Sequence, residues 1–446
     1  MTKDNSKESA IEEQTLNTEL QSQPLIEDEE PTAPGWTKKD IRHNILVLVM
    51  LMTVFELGWD NLQLALQPFL AELKMSNLLV GLVSGLPIMT IPGLLITPFI
   101  SRKLRKKKIY AFAVNILYLS MIGLLGLSVV FSDKLNLTRE SLIIITIFLL
   151  ITHKFIAGFI SVPVQEFVAG CIPMSFRGRY KGISRTTGSI AGLATTAIGG
   201  WILATQIKPM SFGYLFLITW IVCSLSWAAA LFAREKETDI KKVPLAWSKE
   251  MLSSVIHNKP FVRMSIVAFI CGALFNGGGS FMQQYAYREL QLPVYNAAIF
   301  QTITLVGRLL VSVPAGLLID KYGPKRFYPY WGILTALGLS FPIFLQNKWG
   351  IYLFMVNQVA CMGVFMMARS ILHVSLPKPE HRAGTYTISA ILGYTSMFLD
   401  KIIGGLLSDH FGYRMTFIIC AIGALLATPA YIWVAKSLRD DKKDLY

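Results

Sequence analysis

Twelve apolar stretches, each near 20 residues long, run through this chain between short polar loops. They lie near 44–68, 77–100, 109–131, 141–167, 183–206, 212–233, 261–286, 294–319, 328–346, 349–373, 384–407 and 413–435. A helix of that length crosses a hydrocarbon core of roughly 30 Å at about 1.5 Å per residue. The Gly and Pro inside the stretches are tolerated there, because neighbouring helices re-satisfy freed backbone groups. Only 16% of the residues are charged and mean hydropathy is +0.49, whereas soluble domains carry roughly 25% charged residues. The pattern predicts an all-α integral membrane protein of twelve transmembrane helices.

The net charge of +14 combines two opposite populations. Residues 1–35 hold nine acids against Lys3 and Lys7, so the remaining residues, 40 basic and 19 acidic, carry +21. Such an excess on a soluble chain would suggest nucleic acid. Here the bases fall in alternating loops, which is the signature of membrane topology. One set of loops and ends holds 26 bases, including Arg102, Lys103, Lys107, Arg177, Lys321 and Lys325. The other holds seven: Lys74, Lys134, Arg139, Lys208, Arg288, Lys348 and Arg414. Basic loops stay cytoplasmic, which puts both termini in the cytoplasm and predicts no nucleic-acid partner.

The chain therefore divides into an acidic, aromatic-poor tail expected to be disordered (1–40), a six-helix bundle (41–233), a linker (234–260), a second six-helix bundle (261–435) and a short tail (436–446). Trp247, Met251, Leu252, Val255 and Ile256 lie near one helical face of the linker, predicting an amphipathic helix in the interface. The two bundles look like repeats. Ile198-Gly199-Gly200 precedes Phe212-Gly213-Tyr214, and Ile403-Gly404-Gly405 precedes Phe411-Gly412-Tyr413, both at the fifth-to-sixth helix junction of their half. Paired repeats are the layout of a transporter that binds its solute between rocking halves. The five cysteines stand singly, with neither metal-ligand nor disulfide spacing. No cofactor or metal is expected, and no convergent catalytic set suggests an enzyme.

Between helices 8 and 9 the chain reads Gly316-Leu-Leu-Ile-Asp320-Lys321-Tyr-Gly323-Pro-Lys325-Arg326. This resembles the cytoplasmic loop motif of the major facilitator superfamily: Gly, three residues, an Asp, a base, one residue, a Gly and further bases. The first-half copy is degenerate, with Ser101 before Arg102 where the acid is expected and Leu104 in place of Gly. The resemblance spans roughly 44–435. It implies a monomeric, multi-pass carrier of a small solute, in the inner membrane if the source is bacterial. The loop motif acts there as a cytoplasmic latch, the acid pairing with bases and helix N-termini.

Ionisable residues at membrane depth are costly and mark function by default. Helix 1 carries Glu56 and Asp60 one turn apart, on one face. Helix 4 carries His153 and Lys154 at comparable depth. Lys154-Phe-Ile-Ala-Gly158 resembles the family's helix-4 motif with Lys in place of the usual Arg. One reading makes Glu56 or Asp60 the carrier of a coupling proton, with Lys154 as its pairing partner. The others are a permanent ion pair and direct solute contact. His153 is either a titrating group or a structural hydrogen-bonding histidine. Arg308 faces an anionic group or another helix's acid, and Asp400-Lys401 pair locally or gate the outer side.

Helix 7 reads Asn276-Gly-Gly-Gly279-Ser280-Phe-Met-Gln283-Gln284-Tyr285. The glycines allow a break or close approach, and the amides and Tyr285 are candidates for a polar solute. A Gln pair on helix 7 is similar to that of the family's sugar carriers. Gln301, Asn357 and Gln358 extend the set, with interhelical bonding as the competing role. No Pro-Glu-Ser follows helix 6 as in sugar porters, no Gly-Pro precedes the helix 5 glycine pair as in drug antiporters, and helix 1 lacks the Glu-x-x-Glu-Arg run of peptide symporters. The acids of helix 1 favour coupled transport, symport ahead of antiport, over uniport or a sensor on the same fold.

Overall fold

The computed structural model describes residues 37–101, 103–236, 253, 255–375 and 382–438. The acidic tail before residue 37, Arg102, most of the linker and the end of the C-terminal tail lie outside the described residues. Among the described residues there is no strand.

Among the described residues twelve spans follow one another: α1 (Lys38–Glu72), α2 (Asn77–Ser101), α3 (Lys108–Val130), α4 (Arg139–Ala157, resuming as Ser161–Cys171), α5 (Met174–Thr205) and α6 (Met210–Phe232) form the first half. The second half holds α7 (Lys259–Phe275, Gly277–Ser280 and Met282–Arg288), α8 (Asn296–Tyr322), α9 (Tyr330–Phe344) and α10 (Lys348–Ser375). A continuous run, Arg382–Ser437, contains α11 and α12, parted at Gly412 (φ 76°). Polar caps start many of these helices. Thr37, Ser76, Thr138 and Asn258 each accept, through a side-chain oxygen, a backbone N–H of the first turn, satisfying donors that the helix leaves orphaned. Gly323 ends α8 at φ 77°, a conformation that costs a side chain roughly 1–2 kcal/mol.

Each half has an apolar core of its own, and a further cluster spans the two, with Leu64 and Phe216 of the first half and Phe281 and Phe417 of the second. Leu119, Phe167, Cys171 and Cys223 are buried in the first, and Phe261, Met264, Tyr328 and Val434 in the second. Large apolar residues such as Ile144, Phe148, Trp201 and Leu225 stand on the outside, the face a bilayer covers. The five cysteines are free and buried.

Three spans predicted as continuous are broken. A 3-10 turn, Leu86–Thr90, interrupts α2, with Pro87 lacking an amide N–H; α7 breaks at Asn276 and again at Phe281. In α4 the helix stops at Ala157 and resumes at Ser161. The α2 and α4 breaks lie close together. A Cβ added to Gly93 would stand 2.6 Å from Gly158 Cα, and the Thr97 hydroxyl lies between the carbonyls of Gly93 and Gly158. Of the predicted linker face, Val255 is buried in the second-half core while Ile256 is 60% exposed; Trp247, Met251 and Leu252 lie outside the described residues.

The halves meet mainly along α2–α11 and α5–α8, with α1 also touching α7 and α8.

Candidate functional site

Glu56 and Asp60 point from α1 toward α5, where two glycines make room for them. A Cβ on Gly188 would stand 3.0 Å from Glu56 Cγ, and one on Gly192 would overlap Asp60 Oδ2. Asp60 is buried at 4% exposure. Its Oδ1 accepts from Gln301 Nε2 of α8 (3.0 Å), a bond between the halves, while its Oδ2 has no partner among the described residues. The charge of Arg308, also on α8, reaches both acids, and that of Arg185 reaches Glu56. Gln301 and Arg308, each read from sequence as a solute contact or a partner of another helix, are here placed toward the helix 1 acids.

Lys154 is not their pairing partner. Its ammonium lies over the Trp59 ring, 5.9 Å from the centroid, and it makes no ion pair with either acid. The bulk of Trp59, next to Asp60 on α1, takes the cation instead. His153 is 1% exposed, stacks on Tyr118 at 3.8 Å between centroids and donates from Nδ1 to the Tyr118 carbonyl (3.0 Å). This is the hydrogen-bonding structural role.

The second half encloses a cavity of about 500 Å³ between α7, α10 and α11, within the range of roughly 300–1,000 Å³ usual for small-molecule sites. Its polar end is formed by Asn276, Ser280, Gln358, Asp400 and Lys401. Trp331, Phe365, Arg369 and Tyr431 line the part nearer the basic loops. Asn276 and Gln358 therefore line the cavity, as expected of solute contacts. Gln283 is half-buried and lies outside the cavity lining. Three other candidates are engaged elsewhere. Gln284 bonds the Gln67 carbonyl and side chain across the halves (both 3.0 Å), Tyr285 packs edge-on against Phe417, and Asn357 donates to the Leu334 carbonyl (2.9 Å). Amide chemistry alone does not tell a solute contact from a helix contact.

A second cluster joins the halves at the end carrying few basic loop residues. Asp409 of α11 accepts from the backbone N–H groups of Asn77 (2.9 Å) and Leu78 (2.8 Å), which open α2. Asn77 Oδ1 in turn accepts from Arg288 (3.0 Å) and the Tyr413 hydroxyl (2.6 Å). Sequence reasoning missed this cluster, yet a signal was present. Gly405, Asp409 and Gly412 repeat the spacing of Gly316, Asp320 and Gly323.

At the basic end, Lys321 and Arg326 lie over the Tyr322 ring at 5.4 and 5.7 Å, and Lys325 bonds the Leu438 carbonyl; Gly316 comes within 4.0 Å of Met367 Sδ if given a Cβ. The Asp320 side chain and Arg102 lie outside the described residues. Where the degenerate first-half copy lacks its acid, Ser101 donates to Glu166 of α4, which also pairs with Lys107 at 3.7 Å. Glu235, just past α6, caps α3 by accepting from Lys107 N (2.7 Å) and Lys108 N (2.9 Å). This half supplies its basic-end carboxylates from α4 and from the start of the linker.

A family model described as Major Facilitator Superfamily matches residues 264–445. A multidrug resistance protein MdtG from Citrobacter koseri is 24% identical over 293 residues, 63% of this chain and 68% of that protein. An uncharacterized MFS-type transporter, YuxJ, from Bacillus subtilis is 26% identical over 312 residues, covering 66% and 75%. Among solved structures, the nucleoside transporter NupG matches with a TM-score of 0.66 at 13% identity, over 87% of this chain and 98% of that one. A D-xylose-proton symporter matches at 0.65 and 16%, over 87% and 96%. Identities that low speak for the fold, and the fold is that of the twelve-helix carriers. The family match covers the second half of the chain, and the relatives and solved structures it resembles are transporters that share this fold.

Proposed function

We propose that this chain is a proton-coupled secondary transporter that moves a small solute by alternating access, with Asp60 as the proton carrier and Glu56 as its neighbour on the same face. The observation that carries this reading is the environment of Asp60. One carboxylate oxygen holds the opposite half through Gln301, and the other is buried without a partner. A buried carboxylate costs free energy unless it is paired and hydrogen-bonded, so a proton on Oδ2 relieves that cost. The same proton changes how strongly the group holds Gln301 and Arg308 of the other half. Proton binding and the packing of the halves are then linked through one side chain. In this reading the basic loops are cytoplasmic. The closed end, with Asp409 on α2, faces outward, and the cavity extends toward the cytoplasm.

Symport into the cell is the first reading. Export by proton exchange is the second, favoured by the relatives named for multidrug resistance. The test starts by finding a solute, through thermal stabilisation of purified protein against sugars, amino acids, nucleosides, organic acids and cationic drugs. A ligand at about 100 times its Kd stabilises by roughly 2.7 kcal/mol. In proteoliposomes, Asp60→Asn is expected to abolish accumulation driven by a pH gradient while solute exchange at equal pH continues. Full pH-driven accumulation by this variant would remove Asp60 as the carrier, and the direction of the gradient that drives transport separates symport from antiport.

A further inference from the structure

We infer that Asp400, Lys401 and Ser280 form the anchor for the solute's head group, and that this head group is zwitterionic, a cationic donor beside an anionic acceptor on an apolar body. The inference rests on the transport reading above and adds the substrate class. The Asp400 side chain is only 4% exposed. Its Oδ2 accepts from Lys401 Nζ (2.9 Å) and from Ser280 Oγ (3.4 Å), and among the described residues its Oδ1 has no donor. A buried ion pair is stable only when its remaining lone pairs and protons are also satisfied. This pair is left one donor short. The Lys401 ammonium has three N–H groups; it serves Asp400 and Ser280 and retains a further donor on a side chain that is 17% exposed. Beside it, the side-chain amides of Asn276 and Gln358 line the same cavity and, among the described residues, have no hydrogen-bond partner.

The polar end thus offers a carboxylate oxygen without a donor and, on Lys401, one N–H beyond those given to Asp400 and Ser280. A lone cation would compete with Lys401 for Asp400. A lone anion would answer Lys401 and leave Oδ1 unpaired. A head group carrying both satisfies both, with the two amides able to take either role. The remaining wall, Phe269, Met362, Phe365 and Trp331, calls for an apolar or aromatic body.

The test uses purified full-length protein and matched probes: tryptophan, phenylalanine and leucine, each beside its amine-only and acid-only analogue. At least one amino acid is expected to bind, and its two analogues to bind at least tenfold more weakly. Asp400→Asn and Lys401→Met are each expected to weaken the amino acid about 10–100-fold, the loss that follows removal of a hydrogen bond to a charged group. Should either variant fail to fold, Ser280→Ala is expected to weaken binding while retaining wild-type thermal stability without ligand. Tighter binding of the amine-only or acid-only probes, no binding by any amino acid, or unchanged affinity in the folded variants would overturn the assignment. Asp60→Asn keeps the two ideas apart. If it still binds the amino acid and accumulates it in response to a pH gradient as fully as wild type, the coupling role of Asp60 fails and the anchor stands.

Discussion

Asp409→Ala removes the acceptor that holds the start of α2 to α11, and its effect can be sized from the geometry. Two backbone N–H groups at a helix N-terminus donate to one carboxylate at 2.9 and 2.8 Å. Hydrogen bonds to charged groups contribute roughly 1.5–3 kcal/mol each when buried, and a charge at a helix terminus about 0.3–1 kcal/mol when exposed. Asp409 is exposed, so solvent screening brings the pair down to about 1–2 kcal/mol. These bonds join the two halves, so they belong to the conformation closed at this end. Losing them raises the population of the alternative by a factor of about 5–30. A state held at roughly 1% of molecules would rise to several per cent or more. Spin labels at Asp133→Cys and Lys348→Cys, exposed positions on the two halves at this end, report the opening as a growing long-distance population. The native cysteines are all buried, which keeps background labelling low. An unchanged distance distribution in a folded Asp409→Ala protein would refute the idea that this cluster holds the halves together. Asp409→Asn, which retains one oxygen acceptor, should fall between the two.

Two further outcomes follow from the packing around α1. Gly192→Val places a branched side chain where Asp60 Oδ2 sits, and is expected to lower transport at least tenfold with normal amounts of protein in the membrane, measured as uptake normalised to protein. His153→Phe should keep the pH profile of transport, because the ring stacks in a core beside Tyr118 and Trp59, whereas His153→Ala should cost about 2–4 kcal/mol of stability by opening a cavity, read as a lower melting temperature; a shifted pH profile in the Phe variant would show that His153 titrates during transport.

The architecture was legible because membrane spans are written in runs of about 20 apolar residues, and no tertiary contact can hide such a run. Glu56 and Asp60 were legible for a related reason: a carboxylate at membrane depth stands out against its surroundings. Their partners were not. Lys154 has the right charge at the right depth, yet Trp59 takes it up. Arg308, 250 residues away, is brought to the acids by the α5–α8 contact between halves, which periodicity does not encode. The amides divide in the same way. Asn276 and Gln358 face the cavity, while Asn357, next in sequence to Gln358, points about 100° around α10 and bonds Leu334. Asp400 and Lys401 were visible as charges, but their place at the polar end of a cavity depends on how the broken α7 lies against α11.

The paired interruptions of α2 and α4 bear on how the proposed transport would proceed. At Gly93 and Gly158 two helices touch backbone to backbone, Gly158 at the break in α4 and Gly93 just past the 3-10 turn of α2, and Thr97 spans the contact with one hydroxyl. A bundle built this way has a waist. The contact divides the first half into a part toward Glu166 and Lys107 and a part bearing Glu56 and Asp60 against α5. On the transport proposed above, opening the basic end would call for bending within the first half as well as rotation of one half against the other.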